Sequence, residues 1–479
     1  MFQRWDTMTA RSIALALGPL GLLATLLIAA PAGMPPTAWH TAGLVWWMAV
    51  WWMTEAMPLS ATAMLPFIVL PLTGVTDANK TASAYYSPIM FLFVGGAFLA
   101  LAIERTGLHR RLALTMLAHA GTSPVRLLLA VMAATASISM FISNTSTALI
   151  MMPMALAILT SGGVEEGETD GMAGALPMGV AFAATLGGYG TIVGTPTNAI
   201  AAGLLDRTLG VKISFLEWSA FGLPIVLIGV PLAAFIIARV HRIGPGSFDP
   251  AAARNAIEHS VKWTVPERRL VPLFLLTVLA WVTLPLTESL FPKGGLTDGT
   301  IAAIAGLTLF VLPDGTGRAM LTWKEANRMP WDVILMFGGG LSLAMGMDAS
   351  GLSDWLGTAM LPLRSVPLPV VALVLVGFVI IVTEFASNIA AASGIMPVVA
   401  ALCGALGADP ILLALPAALA ASWGFMLPAG TGPNALAWGT GHIAMPRVLR
   451  AGFLLDLAGV LLIVGTVWGM AALLRLGGG

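Results

Sequence analysis

Polar and helix-breaking residues interrupt the apolar sequence at four places where chemistry could occur. A Ser-Asn-Thr tripeptide occupies positions 143–145, and Thr-Glu-Phe-Ala-Ser-Asn occupies positions 383–388. Segments rich in Gly and Pro occupy positions 187–198 and 428–434. Hydroxyl, amide and freed carbonyl oxygens suit Na⁺, whereas half-helix N-termini and amide N–H groups suit an anion. A site with both, and without Arg or Lys, would bind an anion only together with its cations.

The composition places these segments in a membrane. Of the 479 residues, 58% are hydrophobic and only 10% are charged, whereas globular proteins carry about 25% charged residues. This low share of charged residues excludes a cytosolic enzyme, a disordered regulator and a nucleic-acid-binding protein. The charges of the 23 basic and 23 acidic residues also cancel, so the chain has no net charge that would attract a polyanion. The single cysteine, Cys403, excludes a disulfide framework and a cysteine metal cluster.

Stretches free of Asp, Glu, Lys and Arg predict the spanning helices, because about 20 apolar residues cross the bilayer core. We expect an all-α polytopic membrane protein with about 11 transmembrane helices plus two re-entrant helical hairpins. The hairpins are expected at 127–164 and 365–408, each with a polar tip. The stretch 12–54 predicts two helices with a turn near 31–36. Residues 1–30 predict an uncleaved first helix, since their apolar run is too long for a signal peptide.

The distribution of basic residues predicts the orientation. With the N-terminus inside and the C-terminus outside, 17 of the 23 Lys and Arg residues fall on the inner side, as the positive-inside rule requires. The long polar segment 241–269 is then a cytoplasmic linker. We therefore expect a multi-pass protein of the inner (plasma) membrane with a cytoplasmic N-terminus.

The two halves of the chain repeat each other at an offset of about 244 residues. The matching pairs are Phe93-Val94-Gly95-Gly96 with Phe337-Gly338-Gly339-Gly340, Gly107-Leu108 with Gly351-Leu352, and Ser143-Asn144 with Ser387-Asn388, all at an offset of 244, and 194–200 with 430–436 at an offset of 236. The predicted topology gives the two copies opposite orientations. Inverted repeats with broken helices that meet near the midplane are the architecture of secondary transporters.

Three acids need separate interpretation. Glu55 and Glu384 fall within predicted spans, so each is either a functional group, such as a proton carrier, or a buried hydrogen-bonding group. Asp456 is expected at the membrane interface, at the start of the last helix.

A membrane-embedded hydrolase would need Ser143 or Ser387 as nucleophile and a histidine base. No histidine occurs in 120–240, and His119, His241 and His442 fall in loops or at helix ends, so we expect no enzymatic activity. A channel is also disfavoured, because nothing in the sequence resembles a selectivity filter.

The motifs resemble those of the divalent anion/sodium symporter (DASS) family, whose members carry dicarboxylates, citrate or sulfate. The matching segments span nearly the whole chain in family order: 51–58 (Trp-Trp-Met-Thr-Glu-Ala-Met-Pro), 143–145, 194–198, 383–388 and 430–434. The resemblance implies a homodimer in which a scaffold domain holds the dimer and a transport domain moves as an elevator. The corresponding domains are 1–124 (scaffold, first repeat), 125–240 (transport, first repeat), 241–269 (linker), 270–365 (scaffold, second repeat) and 366–479 (transport, second repeat).

The resemblance also implies two sodium sites and one substrate site, with Na⁺ as the coupling ion. The first sodium site would use Ser139, Ser143, Asn144 and Gly194. The second would use Thr383, Ala386, Asn388 and Gly430. The substrate would contact Asn144, Thr145, Asn388 and Thr431, with Pro196 and Gly432 shaping the pocket.

The sequence departs from the family pattern at two positions. Ile389 replaces the threonine of a second Ser-Asn-Thr, and Gly432 replaces a common proline. A small dianion, best a C4-dicarboxylate such as succinate, is the expected substrate, with citrate, sulfate and other oxyanions as alternatives. Sodium-independent exchange and proton coupling through Glu384 or Glu55 are the alternative mechanisms. The absence of Lys, Arg and His at the implied cation positions favours sodium coupling.

Overall fold

The chain folds into helices over the part described by a computed structural model, which comprises residues 2–118, 123–244, 248–249, 251–252, 262–428 and 430–477. Within these ranges, ten helices are long and apolar enough to cross a membrane, and four shorter apolar helices accompany them. The extended pairing found there is a single isolated bridge. The predicted all-α polytopic fold is therefore confirmed, whereas the re-entrant path of the hairpins stays a prediction. Much of the predicted linker 241–269, and His119, lie outside the described residues.

The first half contains twelve described α-helices and one 3₁₀ turn, Gly188–Gly190. The helices are α1 (Phe2–Leu27), α2 (Pro36–Thr54), α3 (Leu59–Thr62), α4 (Leu65–Leu72), α5 (Ala78–Ala84), α6 (Ile89–Thr106), α7 (Leu108–Leu117), α8 (Pro124–Ser139), α9 (Asn144–Ser161), α10 (Met172–Gly187), α11 (Pro196–Leu209) and α12 (Phe215–Val240).

The second half follows the same order of long, short and broken helices, with 3₁₀ turns at Glu288–Leu290 and Leu361–Ser365. Its described helices are α13 (Val265–Thr287), α14 (Asp298–Val311), α15 (Trp323–Ala326), α16 (Asp332–Ser350), α17 (Leu352–Met360), α18 (Leu368–Phe385), α19 (Asn388–Leu406), α20 (Pro410–Ala420), α21 (Gly432–Gly439) and α22 (Met445–Gly477).

The predicted break in the first apolar stretch is confirmed. Helix α1 ends at Leu27, and α2 begins at Pro36 with Pro35 as its extended N-cap residue. Proline suits the first helical position, because its missing N–H would have no partner there and its φ is already helical. The indole N–H of Trp51 donates to the Ala14 carbonyl at 3.2 Å and so ties α2 back onto α1.

The repeat is visible in backbone geometry at the joints α6–α7 and α16–α17. Gly107 has φ 78° and ψ 9°, and Gly351 has φ 82° and ψ 8°. Both values are left-handed, a region that costs a residue with a Cβ atom roughly 1–2 kcal/mol. Two glycines 244 positions apart therefore make the same turn between a long and a short helix. The opposite orientation of the two copies stays a prediction.

The broken helices occupy the centre of the fold. Every residue of α10 is buried, and α10 packs against α8, α9, α12 and α21. The two halves also exchange partners, since α9 of the first hairpin packs on α21 and α19 of the second hairpin packs on α11. Each hairpin thus contacts the broken helix of the other repeat, and the four polar interruptions belong to one packed body.

His241, which directly follows α12, should make the stability of the folded protein depend on pH. It is 2% exposed. Burial, helped by nearby Arg447, lowers the pKa of His241 from 6.5 to about 4. The unfolded chain therefore binds a proton before the folded protein does, so stability is fully present above pH 6.5 and is lost as the pH falls toward 4.

We expect the wild-type protein to lose up to about 1 kcal/mol of stability for each pH unit in this window. His241→Leu should remove that slope while leaving stability at pH 7.5 little changed. Thermal unfolding in detergent between pH 7.5 and 4.5 measures the difference. Parallel pH profiles for the two proteins would show that His241 does not contribute.

Candidate functional site

In each hairpin, a serine caps the N-terminus of the second helix. The Ser143 side chain accepts the Ser146 N–H at 3.3 Å at the start of α9, and the Ser387 side chain accepts the Ala390 N–H at 3.3 Å at the start of α19. Serine is favoured here because its oxygen satisfies one of the free N–H groups of a helix N-terminus. The polar tips are therefore local signals that end one helix and begin the next.

Three oxygens meet below the tip of the first hairpin. The Ser139 hydroxyl oxygen lies 2.6 Å from the Ala184 carbonyl oxygen and 3.0 Å from Asn144 Oδ1. A serine hydroxyl has one proton, so it can donate to only one of these acceptors at a time. With the amide in this orientation the cluster has more acceptor oxygens than protons. Such an excess suits a bound cation, and Ser139 is fully buried.

The second hairpin repeats this cluster. The Thr383 hydroxyl oxygen lies 2.7 Å from the Ala421 carbonyl oxygen and 2.9 Å from Asn388 Oδ1. Thr383 is also fully buried. The same three kinds of oxygen, namely hydroxyl, amide and helix-end carbonyl, therefore meet twice at equivalent positions of the repeat. The carbonyls of Ala184 and Ala421 are members that the sequence analysis missed.

Glycines let the first unwound segment approach the hairpin tip. A Cβ atom on Gly188 would lie 2.6 Å from Asn144 Oδ1, and one on Gly194 would lie 2.5 Å from the Gly188 carbonyl oxygen. Real Cβ atoms do not make such contacts, so both positions require glycine. The Asn198 side chain donates to the carbonyls of Gly188 at 2.7 Å and Thr191 at 2.9 Å, which fixes the path of the segment.

Glu384 fixes the second unwound segment. It is 5% exposed, and its two carboxylate oxygens accept the backbone N–H groups of Met426 and Leu427, each at 2.9 Å. A Cβ atom on Gly430 would lie 3.5 Å from the Glu384 carbonyl oxygen and 4.0 Å from that of Thr383. The sequence leaves two roles open for Glu384, a functional group such as a proton carrier or a buried hydrogen-bonding group. The structure shows the hydrogen bonds of the second role.

The implied substrate residues lie where the two repeats meet. Thr145, at the start of α9, touches the position of Gly432, at the start of α21: a Cβ atom on Gly432 would overlap the Thr145 hydroxyl. Thr431, the N-cap residue of α21, accepts the Asn434 N–H at 3.3 Å. Helices begin at Asn144, Pro196, Asn388 and Gly432, and the N–H groups at a helix N-terminus suit an anion.

A cavity of about 100 Å³ opens beside the first cluster. Ser143, Gly194 and Pro196 line it. Its wall also contains the ion pair between Arg328 and Glu104, whose nitrogen and oxygen atoms are 3.0 Å apart. This ion pair is a feature that sequence reasoning missed, because its partners are 224 positions apart.

The residues implied for each sodium site lie close together, and their role as ligands stays a prediction. In the first set, Asn144 contacts Ser139 and Gly188, and Ser143 shares the cavity with Gly194.

In the second set, Asn388 contacts Thr383, and Gly430 approaches the Thr383 carbonyl. Ala386 is buried directly after α18.

Two other acids lie elsewhere than the sequence predicts. Glu55 is exposed at the C-terminus of α2 with φ 48°, so the interpretation of Glu55 as a buried hydrogen-bonding group is wrong. Asp456 does not begin the last helix, since it is 6% exposed within α22, which begins at Met445. The last helix therefore starts before Arg447 and Arg450, which lie in its first two turns.

Gly432 gives a prediction about the contact between the repeats. Gly432→Ala places a Cβ atom against the Thr145 hydroxyl, so one of them must move. For the dianion that the family resemblance implies as substrate, we expect the apparent KM to rise about tenfold, the effect of roughly 1.4 kcal/mol, with little loss of expression. Uptake kinetics in liposomes measure this effect. Thr145→Ser in the Gly432→Ala background removes the γ-methyl group, so the hydroxyl can rotate away from the new Cβ atom, and part of the affinity should return; no restoration would contradict the contact.

An all-helical membrane fold with two capped hairpins and two unwound helices, related by an internal repeat, defines a secondary active transporter. The profile of the family described as "Sodium:sulfate symporter transmembrane region" matches residues 8–474. The chain therefore belongs to this family, the divalent anion/sodium symporters.

Its similar relatives include two curated transporters. One, from Staphylococcus saprophyticus, is named sodium-dependent dicarboxylate transporter SdcS; it is 36% identical over 95% of this chain and 90% of its own length. Another of the same name, from Staphylococcus aureus, is 37% identical over 96% of this chain and 91% of its own length. The solved structure of the Alcanivorax borkumensis YdaH transporter matches with a TM-score of 0.58 and 16% identity, covering 91% of this chain and 99% of that chain. This last likeness concerns the fold alone.

Proposed function

We propose that the protein couples the entry of Na⁺ to the uptake of a C4-dicarboxylate such as succinate. The observation that carries the proposal is the duplicated oxygen cluster at Ser139–Asn144 and Thr383–Asn388. Each cluster has an excess of acceptor oxygens, and each adjoins the N-terminus of a helix. The names of the relatives, which are sodium-dependent dicarboxylate transporters, support the same cation and the same class of substrate.

Coupling follows from the shared asparagines. In this proposal Asn144 offers its amide oxygen to a cation and its amide N–H₂ group to a substrate carboxylate. The bound cations lower the cost of bringing a dianion to these residues, none of which is Lys or Arg. Without Na⁺ the site binds the anion weakly, and without the anion it holds Na⁺ weakly, so that both are carried together.

The proposed movement is that of an elevator within a homodimer in the inner membrane, with the N-terminus inside and the C-terminus outside. Support for a rigid transport body comes from the exchange of partners between α9 and α21 and between α19 and α11. This packing keeps both sodium clusters at fixed positions relative to each other while the body moves.

Uptake into liposomes tests the function. The purified protein is reconstituted, and labelled succinate uptake is measured under an inward Na⁺ gradient and under an equal K⁺ gradient. We expect succinate uptake under the Na⁺ gradient and no uptake under the K⁺ gradient. Exchange only when succinate is loaded inside would instead identify a sodium-independent exchanger, and Na⁺-driven uptake of sulfate without succinate would identify a sulfate symporter.

Ile389 is expected to select among substrates. It lies half-buried in the first turn of α19, next to Asn388. Ile389→Thr introduces a hydroxyl donor beside the anion, so we expect the order of preference among succinate, citrate and sulfate to change while the Na⁺ dependence stays within about twofold. Competition uptake assays measure the order. An unaltered order would mean that residue 389 does not face the substrate.

A further inference from the structure

The cavity beside the first hairpin has two walls of different character. One wall contains Ser143, at the hairpin tip, and Gly194, in the first unwound segment. The other contains Glu104, near the end of α6, and Arg328, which follows α15. These last two are the charged residues among those that line the cavity. Its volume of about 100 Å³ exceeds the roughly 10–15 Å³ that one water molecule needs, so an aqueous space connects the hairpin tip with an arginine.

The backbone that carries Arg328 is fixed, whereas its side chain is exposed. The Arg328 N–H donates to the Glu325 carbonyl at 3.0 Å, and the Met329 N–H donates to the Ala326 carbonyl at 3.1 Å. Met329 is buried and anchors the segment that follows α15. The Arg328 side chain itself is 64% exposed. The guanidinium group can therefore turn toward a different partner while the backbone stays in place.

The ion pair between Arg328 and Glu104 is of a kind that opens easily. Its nitrogen and oxygen atoms are 3.0 Å apart, and the Glu104 side chain is 27% exposed. Exposed ion pairs contribute little to stability, because water and side-chain entropy offset most of their Coulomb attraction. Arg105, in contrast, is bound to the carboxylates of both Asp314 and Glu325. Of these two arginines, Arg328 is therefore the one whose guanidinium group an incoming anion can engage.

We propose that Arg328 binds the transported dianion on its path between the substrate site and solvent, where the guanidinium exchanges the Glu104 carboxylate for one of the dianion. Two parallel N–H groups of an arginine match the two oxygens of a carboxylate. Glu104 competes for the same N–H groups, so the dianion is held briefly and then moves on. This inference rests on the proposed function, which supplies the dianion. In the proposed orientation Arg328 lies on the cytoplasmic side, where the substrate leaves after uptake.

The two members of the ion pair should act in opposite directions on the affinity for the dianion. Without the Glu104 carboxylate the guanidinium stays free for the dianion, so the affinity at this face of the protein rises. Without the Arg328 guanidinium the dianion meets a carboxylate alone, and like charges repel, so the affinity falls. An ion pair that only fixed the segment after α15 would be lost equally in both variants, and both would change transport in the same direction.

The test measures the apparent KM for succinate at each face separately, in inside-out and right-side-out membrane vesicles under an inward Na⁺ gradient. At the cytoplasmic face, Arg328→Gln should raise the KM about fivefold and Glu104→Gln should lower it about twofold, whereas the KM at the other face should change by less than about twofold. Arg318→Gln is the matched control and should change neither KM. Arg318 also pairs with a carboxylate, that of Glu325, but is not among the residues that line the cavity.

Salt gives a second measurement, because an exposed guanidinium is screened from the dianion as ionic strength rises. With the Na⁺ gradient fixed and choline chloride added, the cytoplasmic KM should rise in the wild type and change less in Arg328→Gln.

A KM raised by both variants, or unchanged in both, would overturn the proposal. If Arg328→Gln does not fold, Glu104→Gln decides: a lower KM at one face supports the site, and an equal or higher one overturns it. Opposite effects of the two variants that are confined to the other face would keep the site and reverse the proposed orientation. Absence of Na⁺-driven succinate uptake by wild-type vesicles would instead contradict the proposed function, whatever the variants do.

Discussion

Asn144→Ala and Asn388→Ala are each expected to lower Na⁺-driven succinate uptake by about 100-fold or more. Each asparagine faces a buried hydroxyl, at 3.0 Å for Ser139 and 2.9 Å for Thr383. Its amide is proposed to contact a cation and an anion at once, and contacts with charged groups contribute about 1.5–3 kcal/mol each. The loss of two such contacts exceeds the 2.7 kcal/mol that corresponds to 100-fold.

Asparagine-to-aspartate variants separate the two roles. Asn144→Asp keeps an oxygen for the cation but places a negative charge beside the substrate, so it should retain stabilisation by Na⁺ and still fail in succinate uptake. Asn144→Ala should lose both the stabilisation by Na⁺ and the uptake of succinate. Asn327→Ala, at an exposed position after α15, is the matched control and should transport normally. Near wild-type uptake by Asn144→Ala or Asn388→Ala would refute the site assignment.

The positions of the hairpins and broken helices follow from local sequence. Runs free of charge indicate which segments lie in the membrane, and Ser143 and Ser387 are residues of a type favoured at helix N-caps. The repeat adds information that one copy lacks, because the left-handed joint at Gly107 predicts the same joint at Gly351. These features depend on neighbours in the sequence and are therefore readable from it.

The chemistry between the elements depends on contacts that the sequence does not encode locally. The Ala184 carbonyl becomes a ligand candidate only because α10 ends beside Ser139, and any residue type would supply that carbonyl. Glu384 binds N–H groups 42 and 43 positions away. Asp456 was misplaced because its burial results from packing of α22 on α12, α18 and α20, not from the residues around it.

Glu384→Ala is expected to destabilise the second unwound segment and to abolish transport. The substitution removes both acceptors of the Met426 and Leu427 N–H groups, and each partly buried donor left without a partner costs about 1–3 kcal/mol. Gly430, which approaches the backbone carbonyls of Thr383 and Glu384, follows directly, so disorder of the segment would also disrupt the second sodium cluster.

Glu384→Gln distinguishes this role from proton transfer. Glutamine has one side-chain acceptor oxygen in place of two, so it keeps one of the two hydrogen bonds and turns an N–H₂ group toward the other donor. Thermal stability measured without Na⁺ should therefore decrease from wild type to Glu384→Gln to Glu384→Ala, with Glu55→Ala, an exposed acid, as the unchanged control. A group that only carries a proton gives a different pattern: both variants would lose coupling equally, and their stability in the absence of Na⁺ would match that of the wild-type protein. The graded order holds because the carboxylate's two oxygens each satisfy a separate backbone donor.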